Sequence, residues 1–146
     1  TKMYYIDSQF TPVNVFDYNA ESGDISNKRV LVDRPDLSGH PDGMCVDAEG
    51  FLWVAFWGGG AIRRFHPDGG EMLAEISVPA ARSSCCCFGG ENLDRLFITT
   101  ARSGMDEDEK RATPDAGAVF VCDVGVKGRE TRSYQGNPSA IKESNT

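Results

Sequence analysis

The chain has 146 residues, with 40% hydrophobic and 25% charged side chains, which bounds it to one ordinary globular domain rather than a disordered segment. Its net charge of -7 argues against nucleic-acid binding, which draws on a basic patch, and is compatible with cation binding or with plain solubility. No apolar run approaches the roughly 20 residues of a membrane helix and no signal peptide is visible, although a chain that opens at Thr1-Lys2 instead of Met leaves room for an upstream segment.

The opening stretch reads as strands separated by turns. Residues 3–7 form an apolar strand, residues 8–12 a turn, residues 14–18 an alternating strand and residues 19–23 a second turn. Residues 25–32 follow as an outer strand with Lys28 and Arg29 towards solvent, and residues 33–40, carrying Pro35 and Gly39, read as a connecting loop.

A second unit begins at Pro41. Met44 to Val46 is a short apolar run, Asp47-Ala48-Glu49-Gly50 supplies Asp and Gly at turn positions, and residues 51–56 are an aromatic strand closed by Gly58-Gly59-Gly60. Residues 61–65, a turn at Pro67-Asp68-Gly69-Gly70 and residues 72–78 complete it. A third unit follows the linker at 79–83, with strands at 84–88, 96–100 and 118–123, a long charged loop at 104–115, and a short outer strand at 131–134. Residues 137–146 read as a disordered tail.

The units repeat. Tyr5, Trp53 and Phe97 fall at matching second-strand positions, and Phe16, Phe65 and Phe120 at matching third-strand positions, about one propeller blade apart. Four short antiparallel strands recurring at that interval fit a β-propeller. A β-sandwich with similar turn spacing is the alternative. In the first unit the innermost strand is missing and is expected ahead of Thr1.

The five cysteines are Cys45, Cys85, Cys86, Cys87 and Cys122. An odd count with three in a row is a poor disulfide framework. With isolated histidines at His40 and His66 and no CxxC pair, a structural zinc site is not expected. Most of the cysteines lie in apolar strand runs and read as small buried hydrophobes, which fits a reducing compartment, the cytoplasm.

The segment PDGMCVDAEGFLWVAFWGGGAIRRFHPDGG, followed by SSCCCFGGENLDRLFITTARSGMD and DAGAVFVCDVGVKG, resembles the regucalcin/gluconolactonase (SGL) family from about Tyr4 to Gly136. A lone PDG is a common turn; the ordered series is the specific signal. The resemblance implies an all-β fold of about three four-stranded blades, the C-terminal half of a six-bladed propeller spanning residues 1–136. It also tips the choice from sandwich to propeller.

The resemblance further implies hydrolysis of a sugar lactone with a divalent cation (Ca²⁺, Zn²⁺, Mn²⁺ or Mg²⁺) that polarises the carbonyl and activates a water. Asp42 is the candidate metal ligand and also the candidate acceptor of the water's proton. Read from its own neighbours alone, Asp42 is the second residue of a Pro-Asp-Gly turn; the resemblance reverses that reading. In the family the other protein ligands are a Glu from the first blade and an Asn from the strand just ahead of Thr1. The family's substrate-binding residues lie in the N-terminal half, so none is assigned here. The isolated chain is therefore expected to be inactive, needing a missing N-terminal half or a second copy to close the propeller. The alternatives are a non-catalytic calcium-binding regucalcin-like propeller and a related propeller esterase.

Other residues carry plainer readings. Ser84 aligns with Asp42 and either faces the channel or satisfies its own strand. Trp53, Phe56 and Trp57 read as blade core before they read as a sugar platform. Gly58-Gly59-Gly60 precedes no helix, so it is not a phosphate loop. The run Asp106-Glu107-Asp108-Glu109 lacks an EF-hand pattern and reads as a solvated loop.

Overall fold

A computed structural model describes residues 1–8 and 10–131. The strands are β1 (Lys2–Asp7), β2 (Phe10–Tyr18), β3 (Ile25–Val32), β4 (His40–Val46), β5 (Leu52–Trp57), β6 (Ala61–Phe65), β7 (Met72–Ser77), β8 (Ser83–Gly89), β9 (Arg95–Thr100) and β10 (Val119–Asp123), with one helix, α1 (Glu107–Ala112), among the described residues. They form three antiparallel meanders: a three-stranded sheet β1-β2-β3, a four-stranded sheet β4-β5-β6-β7 and a three-stranded sheet β10-β9-β8.

The sheets stack face to face with the four-stranded one in the middle. Side chains of a strand alternate between faces, and β5 is apolar on both. Leu52, Val54 and Phe56 pack with Val13, Val15, Leu31 and Val32 of the first sheet. Trp53 and Ala55 turn the other way, onto Cys86, Leu96 and Ile98 of the third. That explains the unbroken run Leu-Trp-Val-Ala-Phe-Trp, since a strand covered on both sides has no polar face to show. Each such large side chain, fully buried, contributes roughly 1.5–3 kcal/mol.

The end sheets are buried on one face only. In β9, Leu96 and Ile98 are buried and pair across to Cys122 and Phe120 of β10. On the opposite face Val119 and Val121 are 63% and 45% exposed. In the first sheet Tyr4 and Ile6 face the core, while Tyr5 and Val30 are exposed.

Loops at the two ends hold the sheets in order. At the head of β4, Trp57 bridges to Arg82, whose guanidinium reaches the carbonyls of Ser103 and Gly104. At the foot, Asp47 bridges to Gly128; Ala48 donates to the Lys127 carbonyl at 2.8 Å and Gly128 to the Leu93 carbonyl at 2.7 Å. The segment after β10 thus crosses beneath the second and third sheets.

Several expectations need revision. The second strand begins at Phe10 and not after Pro12; its register with β1 slips between Ile6 and Asp7, where Pro12 has no N–H to offer. The charged loop contains α1, started by a capping box: Asp106 accepts from the amides of Asp108 and Glu109, and the Glu109 side chain accepts from the Asp106 amide. The cysteines are not uniformly buried. Cys86 is buried, Cys45 and Cys122 are half-buried, and Cys85 and Cys87 are exposed, because alternate residues of β8 face the open side of an end sheet. The expected outer strand beyond Thr131 and the tail at 137–146 lie outside the described residues. No helix among the described residues is long and apolar enough to cross a membrane.

Candidate site at the head of strand β4

Asp42 sits in a β-bulge. Pro41 pairs with Phe56 and Met44 with Val54, and the register shifts between them, so Asp42 and Gly43 together oppose one residue, Ala55. A bulge of this kind bends the strand and re-aims a side chain, and bulges recur at sheet edges and beside active sites. Strand β8 does the same at the matching place: Ser83 pairs with Thr100 and Cys85 with Thr99, leaving Ser84 as the extra residue.

Gly43 lets the two inner strands meet. A Cβ there would lie 2.4 Å from the Cys85 sulfur and 2.7 Å from the Ser84 carbonyl oxygen, far inside contact distance. Glycine at this position is thus required by the close approach of β4 to β8.

The Asp42 side chain is half-buried. Burial pushes its carboxyl above the ordinary aspartate value, and the Ser8 hydroxyl, 3.5 Å from Oδ1, pulls the other way. Ser8 follows β1, on the turn that shares an end of the stack with the head of β4. Sequence reasoning missed it; the signal available was the blade alignment, which places the turn after each second strand at that end. Ser84 comes next to the site through its carbonyl, but its hydroxyl is engaged within its own sheet, 2.8 Å from Thr99 Oγ1 and 3.2 Å from the Thr99 carbonyl oxygen.

A half-buried carboxylate can ligate a hard cation. Alone it holds one only weakly: Ca²⁺ takes roughly six to eight oxygens and Mg²⁺ an octahedron. Among the described residues no group of three or more His, Cys, Asp or Glu side chains is placed to hold a metal ion. The described residues therefore do not by themselves fit a divalent cation.

The remaining candidates have structural roles. Trp53 and Phe56 are each 2% exposed. Asp106 and Glu109 are occupied as the cap of α1. Gly58 and Gly60 take φ of 81° and 56°, in a turn. A further carboxylate, read in the sequence only as a turn residue, is more deeply committed. Asp47 is 0% exposed. Its Oδ1 accepts from the amides of Glu49 and Phe51, and its Oδ2 from Trp53 Nε1 and the Arg64 guanidinium. Burial works against the charge of Arg64, but Glu49 and Asp47 outweigh it and hold its pKa above the ordinary value. With its acceptors filled by protein donors, Asp47 fixes the β4–β5 turn.

Antiparallel meanders stacked through their faces, with inner strands β4 and β8 side by side, define a β-propeller segment. The chain matches the model of the SMP-30/Gluconolactonase/LRE-like region over residues 1–102, and it belongs to that family. It is 42% identical to human (Homo sapiens) regucalcin over 134 residues, 91% of this chain and 45% of the relative. It resembles the structure of a regucalcin described as a calcium-binding protein, from Agrobacterium tumefaciens, with a TM-score of 0.82 at 34% identity, covering 88% of this chain and 44% of that one. A gluconolactonase from Xanthomonas campestris gives a TM-score of 0.56 at 30% identity over 67% of this chain and 30% of that one. The chain thus spans about half the length of the curated relatives it matches, and its sheets correspond to about half of a six-bladed propeller.

Proposed function

We propose that this chain is the Asp42-bearing half of a divalent-metal-dependent sugar-lactone hydrolase. The observation that carries the reading is the placement of Asp42, half-buried on a bulge at the head of an inner strand, in a chain whose family includes a gluconolactonase. Asp42 supplies one carboxylate ligand; the rest of the ligand set and the lactone-binding groups belong to the part of the propeller this chain does not span. The chain alone is inactive, and turnover needs an N-terminal half or a second copy.

A non-catalytic calcium-binding reading is the alternative; the calcium-binding part of it has support, because the Agrobacterium relative is described as a calcium-binding protein. Calorimetric titration of the purified chain and of Asp42→Ala with Ca²⁺, Zn²⁺, Mn²⁺ and Mg²⁺ tests the shared part of both readings. Weak uptake abolished by the substitution is expected. Equal uptake by both proteins removes Asp42 from the site. Turnover of a sugar lactone by the completed propeller then separates enzyme from binder.

A further inference from the structure

Cys45 and Cys86 lie on neighbouring inner strands of different sheets, with their sulfurs 3.8 Å apart. We propose that they form an oxidation site: a dithiol that a hydroperoxide converts to a disulfide, joining β4 to β8 and so the second sheet to the third.

The strand period produces the juxtaposition. Cys86 is buried while Cys85, beside Gly43 at the edge of β4, and Cys87 are exposed, and on the covered side of β8 lies β4, brought close by Gly43. Cys86 is 2% exposed and donates to the Trp53 carbonyl at 3.4 Å, while Cys45 is half-buried. Cys45 is thus the less enclosed residue of the pair and Cys86 the more enclosed, the order a two-step closure needs. Its burial keeps Cys86 from the oxidant, so Cys86 acts second, as the resolving partner; the Cys45 sulfur and burial also hold its thiol well above its ordinary value.

The steps balance. The Cys45 sulfur attacks a peroxide oxygen, an S–O bond forms as the O–O bond breaks, and water leaves as Cys45 becomes a sulfenic acid. The Cys86 sulfur then attacks the Cys45 sulfur; the S–S bond forms, the S–O bond breaks, and the Cys86 proton departs with the hydroxyl as a second water. Two thiols lose two electrons and one peroxide gains them. Closure to a bond of about 2.05 Å turns Cys86 away from the Trp53 carbonyl, and the bridge sits on β4 close to the Asp42 bulge.

The test is oxidation of the native chain with hydrogen peroxide, acid quench, thiol counting in denaturant and non-reducing peptide mapping with fragmentation. The expected result is loss of two of the five free thiols in a particle of unchanged mass class. A Cys45–Cys86 cross-linked peptide should appear two hydrogens lighter. It should persist in the Cys85→Ser/Cys87→Ser double variant, whose positions are exposed, and vanish in Cys45→Ser. A count that stays at five, a bridge from Cys45 to Cys85 or Cys87, chain-to-chain bridges alone, or Cys45 stopping at sulfinic acid each overturns the proposal. If Cys45→Ser does not fold, the fragment map of the unsubstituted chain decides.

Discussion

The Arg64 guanidinium donates twice to Oδ2 of Asp47, at 2.9 Å from Nε and 2.6 Å from Nη2, and Asp47 has no solvent exposure. Arg64 stands on β6 directly across from Trp53 on β5, so one carboxylate joins the turn after β4 to two further strands. Asp47→Ala leaves Trp53 Nε1 and Arg64 Nε without their acceptor, while Arg64 Nη2 keeps Glu49. Breaking a buried pair costs about 3–5 kcal/mol, and a fall of that size in urea-unfolding free energy is expected. Adding Arg64→Met should recover part of it. A loss under about 1 kcal/mol for Asp47→Ala would show that the network does not hold the blade.

Gly43→Ala should force β4 away from β8. The new methyl meets both the Cys85 sulfur and the Ser84 carbonyl, and overpacking of this kind costs typically about 1–3 kcal/mol. Cys85→Ala should relieve it only in part, since the Cys85 Cβ, 2.6 Å away, and the Ser84 carbonyl remain. Thermal unfolding of the single and double variants reads this directly; full rescue would place the contact on the sulfur alone.

Asp42 should titrate above the ordinary aspartate value of 3.8 because burial disfavours its charge. The sign follows: a carboxyl raised in the folded state weakens folding when ionised, so its contribution to stability improves as pH falls through the folded value towards the unfolded one. Ser8→Ala removes the opposing hydroxyl and should raise the midpoint further. Carboxyl carbon NMR titration of the chain and the variant measures both; a midpoint below 3.8 contradicts the burial argument.

Removing the cap of α1 should melt a helix too short to persist alone. Asp106→Ala takes the acceptor from the amides of Asp108 and Glu109, a loss of typically ~1 kcal/mol. Hydrogen exchange at the Lys110 amide, which donates to the Asp106 carbonyl, should accelerate while β9 amides stay protected. Unchanged exchange at Lys110 would mean that the Arg82–Glu109 contact at 3.6 Å holds the turn without its cap.

Much of the strand layout is legible because the residues obey a strand period between strong turn signals. The second and third strands fall where the repeat puts them, but its matched positions do not share a register: Phe16 pairs with Met3, Phe65 with Leu52 and Phe120 with Ile98, and Tyr5 is exposed where Trp53 is buried. Features that depend on a neighbouring sheet are not legible. Which of Cys85, Cys86 and Cys87 is buried depends on which side of β8 is covered, and the contact of Cys45 with Cys86 joins residues far apart in the chain. Asp47 looked like any turn aspartate because its partner Arg64 arrives through strand register. Helix α1 carried a readable box in Asp106 and Glu109, masked by the charge run around it. Asp42 was singled out by resemblance; its bulge has no signature in composition or period.

The most direct measurement is the mass of the purified chain in solution, taken together with metal-dependent sugar-lactone turnover, for the unsubstituted protein and Asp42→Ala. The account predicts no turnover by a single chain. It predicts that any turnover in a particle of twice the chain mass requires added cation and is lost with Asp42→Ala. A single chain that hydrolyses the lactone, with Asp42→Ala equally active, would contradict it.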